Sequence, residues 1–481
     1  MLFRSVGAVS TTVAAKLYET VSVKDFGAVG DGTTDDTVAV QAALDYAASA
    51  SGGVALYFPF GTYRVTDTLA LTGVEGLKIY GDGSKSSIVF FDNTNDALLY
   101  LTTWISICIY DIAFDAVDWS SPDPARTSVC LRLNGNGGGS EMLCQNVRMA
   151  GFGTAITTLD ATVNDDNVTF KNCYFKYNNI VWNNSNSQAV IWAFEDCQVL
   201  YTTGSVFKNP AGWLHVTNGS YINQGIFCDI DNGQAPSGIV FDGVKFETTQ
   251  NFTPPGTPVW LAIGESNISS GINCTFRNCS DIGGGTYAGS TWYLRHGFSV
   301  NIENSTFING VCQLESDFIA ENVPSTLTVT NSAFPPISET LFPSAGNIPV
   351  NKIFNGSWTV NGTNARMLAM NNFSGSALRS YDTLDRTYSV QPGQLKVCSV
   401  STIGTTSPYT KSFTLNVPTN AAFVVSAVDF YFNGDAPAAT ITLWKDSSKT
   451  VKIYEVVKAS PNTVQVQHLD RKSTRLNSSH T

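Results

Sequence analysis

The sequence predicts an all-β protein whose body is a right-handed parallel β-helix, and two observations carry that expectation. The first is a repeat: an apolar residue, a spacer, then Asn, Asp or Gly, two further residues and usually another apolar one. Nine copies centre on Asp111, Asn146, Asn172, Asp196, Asn218, Gly243, Asn278, Asn304 and Asn331, at spacings of 35, 26, 24, 22, 25, 35, 26 and 27 residues. The second is a low-charge, aromatic-rich composition, 43% hydrophobic and 14% charged over 481 residues with 28 Phe. A unit this short, alternating without helical periodicity, cannot bury its own face, whereas a stack of such units can. Each repeat therefore reads as one coil.

Taken in order, residues 1–20 are expected to be the remnant of an N-terminal linker region, and 21–342 the β-helix. A short strand at 21–26 runs into the Gly-rich turn 27–32. Residues 33–36 then supply N-cap residues and acids for a helix start. Val40, Ala43, Leu44 and Ala47 form one apolar stripe, and Ser51-Gly52-Gly53 stops the helix. Laid over the first coil, it would shield the open end. Strands at 54–59 and 61–65 flank a Pro/Gly turn. The two 35-residue spacings mark insertions at 115–139, with Trp119, Arg126 and the run Asn134-Gly135-Asn136-Gly137-Gly138-Gly139, and at 248–270, with Trp260 and Glu265. Insertions leave a solenoid as loops, and such loops can wall a groove. Near Pro335-Pro336 the pattern breaks, and two-residue alternation at 413–417, 423–432, 440–444 and 451–457 predicts an antiparallel β-sandwich over 343–469. Residues 470–481 look like the translation of a sequencing-library adapter and are set aside.

The net charge of −11 argues against nucleic acid or anionic membrane as partner, since both reward Lys and Arg clusters. No run of about 18 apolar residues exists, so no helix is expected to insert in a membrane. The ten Cys follow the coil rather than a pairing scheme: Cys173, Cys197 and Cys279 each follow a central polar residue, and Cys144 takes an apolar ladder place. They read as small buried fillers. Without CxxC or a Cys/His cluster, neither a metal nor a cofactor is expected.

Side chains at equivalent coil positions stack about 4.8 Å apart, so position predicts proximity. The outward place before each central residue reads Tyr110, Gln145, Lys171, Glu195, Thr217, Asp242, Arg277, Glu303 and Thr330. Glu195 and Asp242, two coils apart, are the first catalytic candidates, because carboxyls about 6.5 to 9.5 Å apart leave room for the water of inverting glycoside hydrolysis. A ladder of surface salt bridges is the competing reading of the same column. The second candidates are Asp229 and Asp231, expected to point outward with Phe227 while Ile226, Cys228 and Ile230 point in. Asp165-Asp166 reads as an acidic pair in a turn. Glu247 and Glu265 could add a further acid, while Trp260, Trp292, Arg295 and His296 are candidate substrate-binding residues. Of Trp192, Trp213, Trp260, Trp292 and Tyr293, two are expected to be exposed.

Asp25-Phe26-Gly27-Ala28-Val29-Gly30-Asp31-Gly32-Thr33-Thr34-Asp35-Asp36-Thr37, followed by Phe58-Pro59 and Gly61-Thr62-Tyr63, closely resembles the opening of pectin-lyase-like β-helix proteins. With Val21-Ser22-Val23-Lys24 in front, it looks most like bacteriophage tailspikes. The motif covers about the first eighty residues and is specific for fold more than for function. The resemblance implies a homotrimer on the virion tail that binds and depolymerises a bacterial surface polysaccharide, capsule or O-antigen, and docks on a phage tail or baseplate protein through an N-terminal region. It also implies that 343–469 completes a trimer or binds sugar. Asp31, Asp35 and Asp36 sit in the turn and helix cap, which points to structure rather than catalysis. The pectin-degrading branch is not indicated, for there is no Gly-His-Gly and no Asn-x-Asp followed by paired Asp and Arg-x-Lys. Two other readings stay open: a non-catalytic receptor-binding spike, and a bacterial or prophage-encoded pectate-lyase-like polysaccharide lyase.

Overall fold

The computed structural model describes residues 19–49, 54–117, 119–159, 164–223, 225–230, 236–248, 261–263, 272–281, 290–295, 298–307, 311–316, 326–334, 337–341 and 351–359, and strands at 377–381, 386–389, 395–399, 413–416, 423–424, 439–444, 452–458 and 475–476. The chain divides into two compact units, Met1–Ser374 and Gly375–Thr481. The first is a parallel β-solenoid in which successive coils feed three ladders. One ladder runs through Asp165–Lys171, Trp192–Glu195, Gly212–Thr217, Pro236–Asp242, Ile272–Arg277 and Phe298–Glu303. The second passes from Asp31–Asp35 through Arg148–Ala150, Tyr174–Lys176 and Gln198–Thr202 to Ser280–Asp281. The third includes Thr154–Leu159, Ile180–Asn184, Ser205–Lys208 and Ile226–Ile230.

The repeat works at the corner between the first two ladders. All nine central residues have left-handed backbone, with φ from 46° at Asn304 to 69° at Gly243. Only Gly, Asn and Asp take that conformation cheaply, which is why the sequence confines the place to those three. The side chains also bond along the stack: Asn146 Nδ2 donates to Asp111 Oδ1 at 2.8 Å, Asn172 to Asn146 at 2.6 Å, and Asn218 to Asp196 at 3.0 Å. Where Gly243 leaves no acceptor, Asn278 Nδ2 turns to Asp242 Oδ1 at 2.9 Å.

One residue later the cysteines fill the inner side of the bend. The Cys197 Sγ donates to Phe170 O at 3.3 Å and Cys279 Sγ to Phe241 O at 3.4 Å. Ser305 and Ser332 take the same place further along, bonding Glu303 O and Thr330 O at 2.7 Å. Burial pushes the Cys197 and Cys274 thiols up, and that of Cys279 to about 12, so they persist as S–H groups. Inside the coils a ring column runs along the axis, Phe170 on Phe194 at 5.0 Å and Phe241 on Phe276 at 4.6 Å, with Trp182 flat on Trp192 at 4.1 Å.

At the front, the helix Thr37–Ser49 buries Val40, Ala43, Leu44 and Ala47. The acids before it are all engaged with backbone: Asp31 accepts from Thr33 N and Thr34 N, Asp36 from Val29 N and Gly30 N, and Asp35 from Thr37 N. Gly30 is required there, since a Cβ would stand 2.8 Å from the buried Tyr63 ring. These contacts account for the motif as a structural device.

Four expectations change. The run Asn134–Gly139 is not a loop; it lies inside one strand, Val129–Gln145, with a register shift between Asn134 and Gly139 that lets a single strand serve two ladders. The added length of that coil is instead at 117–128. Asp165 is not in a turn: it opens the strand Asp165–Lys171, fully buried, with Asn186 Nδ2 bonded to its carboxylate at 3.0 Å. The stack also continues past 342, with Asn351–Thr359 in parallel register on Thr326–Ala333. In the second unit, leaving aside 470–481, the described strands pair antiparallel at Ala439–Trp444 with Lys452–Lys458 and parallel at Ala377–Tyr381 with Leu395–Ser399 and Arg386–Ser389 with Phe413–Asn416, so the pairing there is not purely antiparallel.

Candidate functional site

The outward column is in register throughout: Lys171 pairs with Glu195, Glu195 with Thr217, Thr217 with Asp242, Asp242 with Arg277, and Arg277 with Glu303. Glu195 and Asp242 therefore stand two rungs apart, about 9 to 10 Å along the backbone. Both also carry a cation, Lys171 Nζ at 3.1 Å from Glu195 and Arg277 at 2.7 Å from Asp242. The Arg277 hydrogen bond, with a second from Asn278, holds Asp242 below the usual carboxylate range. The salt-bridge ladder and the carboxyl pair are thus the same object.

Beside this column lies a feature the site reading did not select. Along Gly212–Thr217, Trp213, His215 and Thr217 face outward while Leu214 and Val216 are buried. Trp213 exposes 53% of its surface and Ile191 57%. These two precede the paired residues Trp192 and Leu214, so they sit side by side on successive coils. Trp213 pairs onward with Gly238, beside which a Cβ would meet open space, and His215 lies between Ala193 and Val240. An exposed indole with His215 on the same face and the charged column further along the strand is a surface on which a sugar ring can stack while its hydroxyls find polar partners. The period of two around His215 is the signal that would have found Trp213.

Other candidates fall elsewhere. Asp229 is on the third ladder, in register with Lys208 and accepting from Ser205 Oγ at 3.2 Å, on a different ladder from Glu195 and Asp242. Phe227 does not point outward; it is fully buried within the strand Ile226–Ile230, edge-on to Phe246 at 4.6 Å and Tyr221 at 5.3 Å. Trp292 is likewise no surface residue: it is buried against Phe276, Phe307 and Phe334 as part of the ring column. Trp192 is buried too, donating Nε1–H to Asp165 O at 2.9 Å. Glu247 is half-buried on the second ladder, paired with Ile222. Asp231, Trp260, Glu265 and His296 lie outside the described residues, as does the side chain of Arg295. Among the described residues no group of His, Cys, Asp and Glu is arranged to hold a metal ion, and no helix is long and apolar enough to cross a membrane.

The fold is a parallel β-solenoid. Residues 20–103 match the family model Rhamnogalacturonase A/epimerase, pectate lyase-like. Within the curated proteins, 73 residues are 47% identical to Mannuronan C5-epimerase AlgE3 of Azotobacter vinelandii, covering 14% of this chain and 4% of that one. Another 173-residue stretch is 30% identical to Plasmin and fibronectin-binding protein A of Streptococcus pneumoniae, covering 35% of this chain and 22% of that one. The chain thus spans only a small part of the curated relatives it matches. Similar solved structures include the A-module of the Azotobacter vinelandii epimerase AlgE6, at 17% identity and TM-score 0.49 over 73% of this chain and 96% of that one. The Dettilon tailspike protein is similar at 12% identity and TM-score 0.42, over 72% and 70%.

Proposed function

We propose that the outer face carrying Trp213 binds a bacterial surface polysaccharide and that the chain cleaves it by glycoside hydrolysis, acting as a homotrimeric tailspike on a phage tail. The observation behind this reading is Trp213 itself. The tryptophans Trp104, Trp182, Trp192 and Trp292 are buried in the coils, whereas this one is half-exposed, its ring 5.8 Å from that of His215, on the same outward face as Thr217, the column place between Glu195 and Asp242. Asp242, held ionised by Arg277, is the base that would take a proton from water, and Glu195 the acid for the leaving oxygen. Asp229, on the neighbouring ladder, and Asp231 form the second assignment. The family match over 20–103 and the identity to a mannuronan epimerase support polysaccharide as the class of ligand.

A non-catalytic receptor-binding spike is the second reading, favoured by the ion pairs that already engage both acids. Reducing-end release and absorbance at 235 nm from a panel of purified capsules and lipopolysaccharides separate the cases. New reducing ends without absorbance are expected, and Glu195→Gln or Asp242→Asn should lower that rate by about 10²- to 10⁴-fold. Absorbance would move the reading to a lyase. Binding with neither signal would leave an adhesin.

A further inference from the structure

The second ladder carries another cluster, independent of the Trp213 face. Asp115, 2% exposed, is held by Arg148 through bonds at 2.9 and 2.5 Å. The chain at 119–127 crosses the next coil so closely that a Cβ on Gly151 would stand 2.4 Å from Trp119. Arg126 ties it down, donating to Tyr177 O at 3.1 Å and to Ser121 O at 2.8 Å. Lys176 is placed differently from these cations. Its Nζ lies 4.4 Å from the centre of the Tyr177 ring and 5.6 Å from that of Trp119, and among the described residues no carboxylate forms an ion pair with it. Of the two cations that act on the buried Asp115 carboxylate, Arg148 bonds it directly and Lys176 acts only through space.

The corner beyond Lys176 is also unusual. Tyr177 and Tyr201 have left-handed backbone, φ 55° and 59°, at the place where the preceding coil has Gly151 at φ 80°. Glycine takes that bend without strain, so a tyrosine there on two successive coils is a side chain kept at conformational cost. The rings stack at 5.5 Å and 25°. Tyr201 falls in the register shift between Leu200 and Thr202, so the following coil places no paired residue against it. Among the described residues the tyrosine ladder ends there, with no in-register neighbour on the following coil.

We propose that this corner binds an acidic glycan, a sugar carboxylate docking on Lys176 and a neighbouring ring stacking on Tyr201 one rung, about 4.8 Å, along the axis. The Trp213 face lacks that preference, because its Lys171 and Arg277 already hold Glu195 and Asp242. The two surfaces would then grip different units of one polymer.

Binding is tested by calorimetry of the full chain with oligosaccharides of glucuronate, galacturonate, mannuronate and N-acetylneuraminate, each beside its carboxyl-reduced neutral counterpart. At least one acidic oligosaccharide should bind tenfold or more tightly than its reduced form, and this gap should vanish in Lys176→Met and weaken with added salt. Tyr201→Gly, which relieves the strained backbone, should lose affinity while raising or holding the melting temperature. Trp213→Ala should leave the gap intact, which distinguishes failure here from failure of the Trp213 face. Equal binding of acidic and reduced forms, no binding of any of them, or an unchanged gap in Lys176→Met would overturn the proposal.

Discussion

Single residues in this chain are chosen by backbone as much as by packing, and Asn172 shows how the two combine. At φ 50° it bears a conformation that costs an ordinary residue about 1 to 2 kcal/mol, and its amide also bonds to Asn146. Melting temperatures should therefore fall in the order Asn172→Gly, Asn172→Ala, Asn172→Val, with glycine losing only the side-chain bond. A reversed order would mean that the left-handed backbone does not select the residue at this corner. Trp213 shows the opposite case, a side chain that the fold does not need. Because half its surface is exposed, Trp213→Ala should change stability by no more than about 0.5 kcal/mol while weakening polysaccharide binding tenfold or more. The indole could be listed from the sequence, but its exposure followed only from the alternation about His215. Trp292 has the same chemistry with the opposite fate, since its strand aims it at Phe276 and Phe307.

Elements are held by the groups at their ends. The turn before the helix Thr37–Ser49 keeps Asp35 below its ordinary value of 3.8, chiefly through the Thr37 side-chain hydrogen bond, aided by Thr66. A carboxyl depressed by folding adds stability above its unfolded value and loses it as pH falls through the folded one. Thermal melting followed from about pH 5 to pH 2.5 should thus show a drop below roughly pH 4 that is shallower in Asp35→Asn. An identical slope in both proteins would show that the turn does not contribute. At the coil corners, Cys197 and Ser332 perform one task with different atoms, each donating to carbonyls on its own and the preceding coil. Cys197→Ser should accordingly melt within a few degrees of the parent, whereas Cys197→Val, which removes the donor from a buried place, should cost about 1 to 3 kcal/mol. The spacing of the cysteines had already separated this role from disulfide or metal chemistry.

At the scale of the whole molecule the solenoid converts sequence period into spatial proximity. Residues 22 to 35 positions apart become neighbours on a face, as Lys171 and Glu195 do across 24 residues and Asp242 and Arg277 across 35. The ring column is the shared consequence of the same register, and Phe194→Ala, which removes a ring stacked on Phe170 and packed on Phe207, should cost about 3 to 5 kcal/mol. Denaturant unfolding of the variant checks this; a loss below about 1 kcal/mol would mean that the coils repack around the gap.

The nine corners, the apolar stripe of the first helix and the outward column could be derived from sequence because each depends on a local rule repeated at intervals: left-handed backbone, helical period, strand alternation. Register alone then fixed Glu195 beside Lys171 and Asp242 beside Arg277. Where a residue's environment depends on distant chain, the local rule failed. Phe227 turned inward, Asp165 was buried under Asn186, and the run at 134–139 extended a strand because the neighbouring coils offered it partners. The surroundings of Lys176, made by Trp119 folding back across 57 residues' separation in chain and by two tyrosines in strained backbone, belong to the tertiary structure, since no local pattern encodes which insertion lies over which coil.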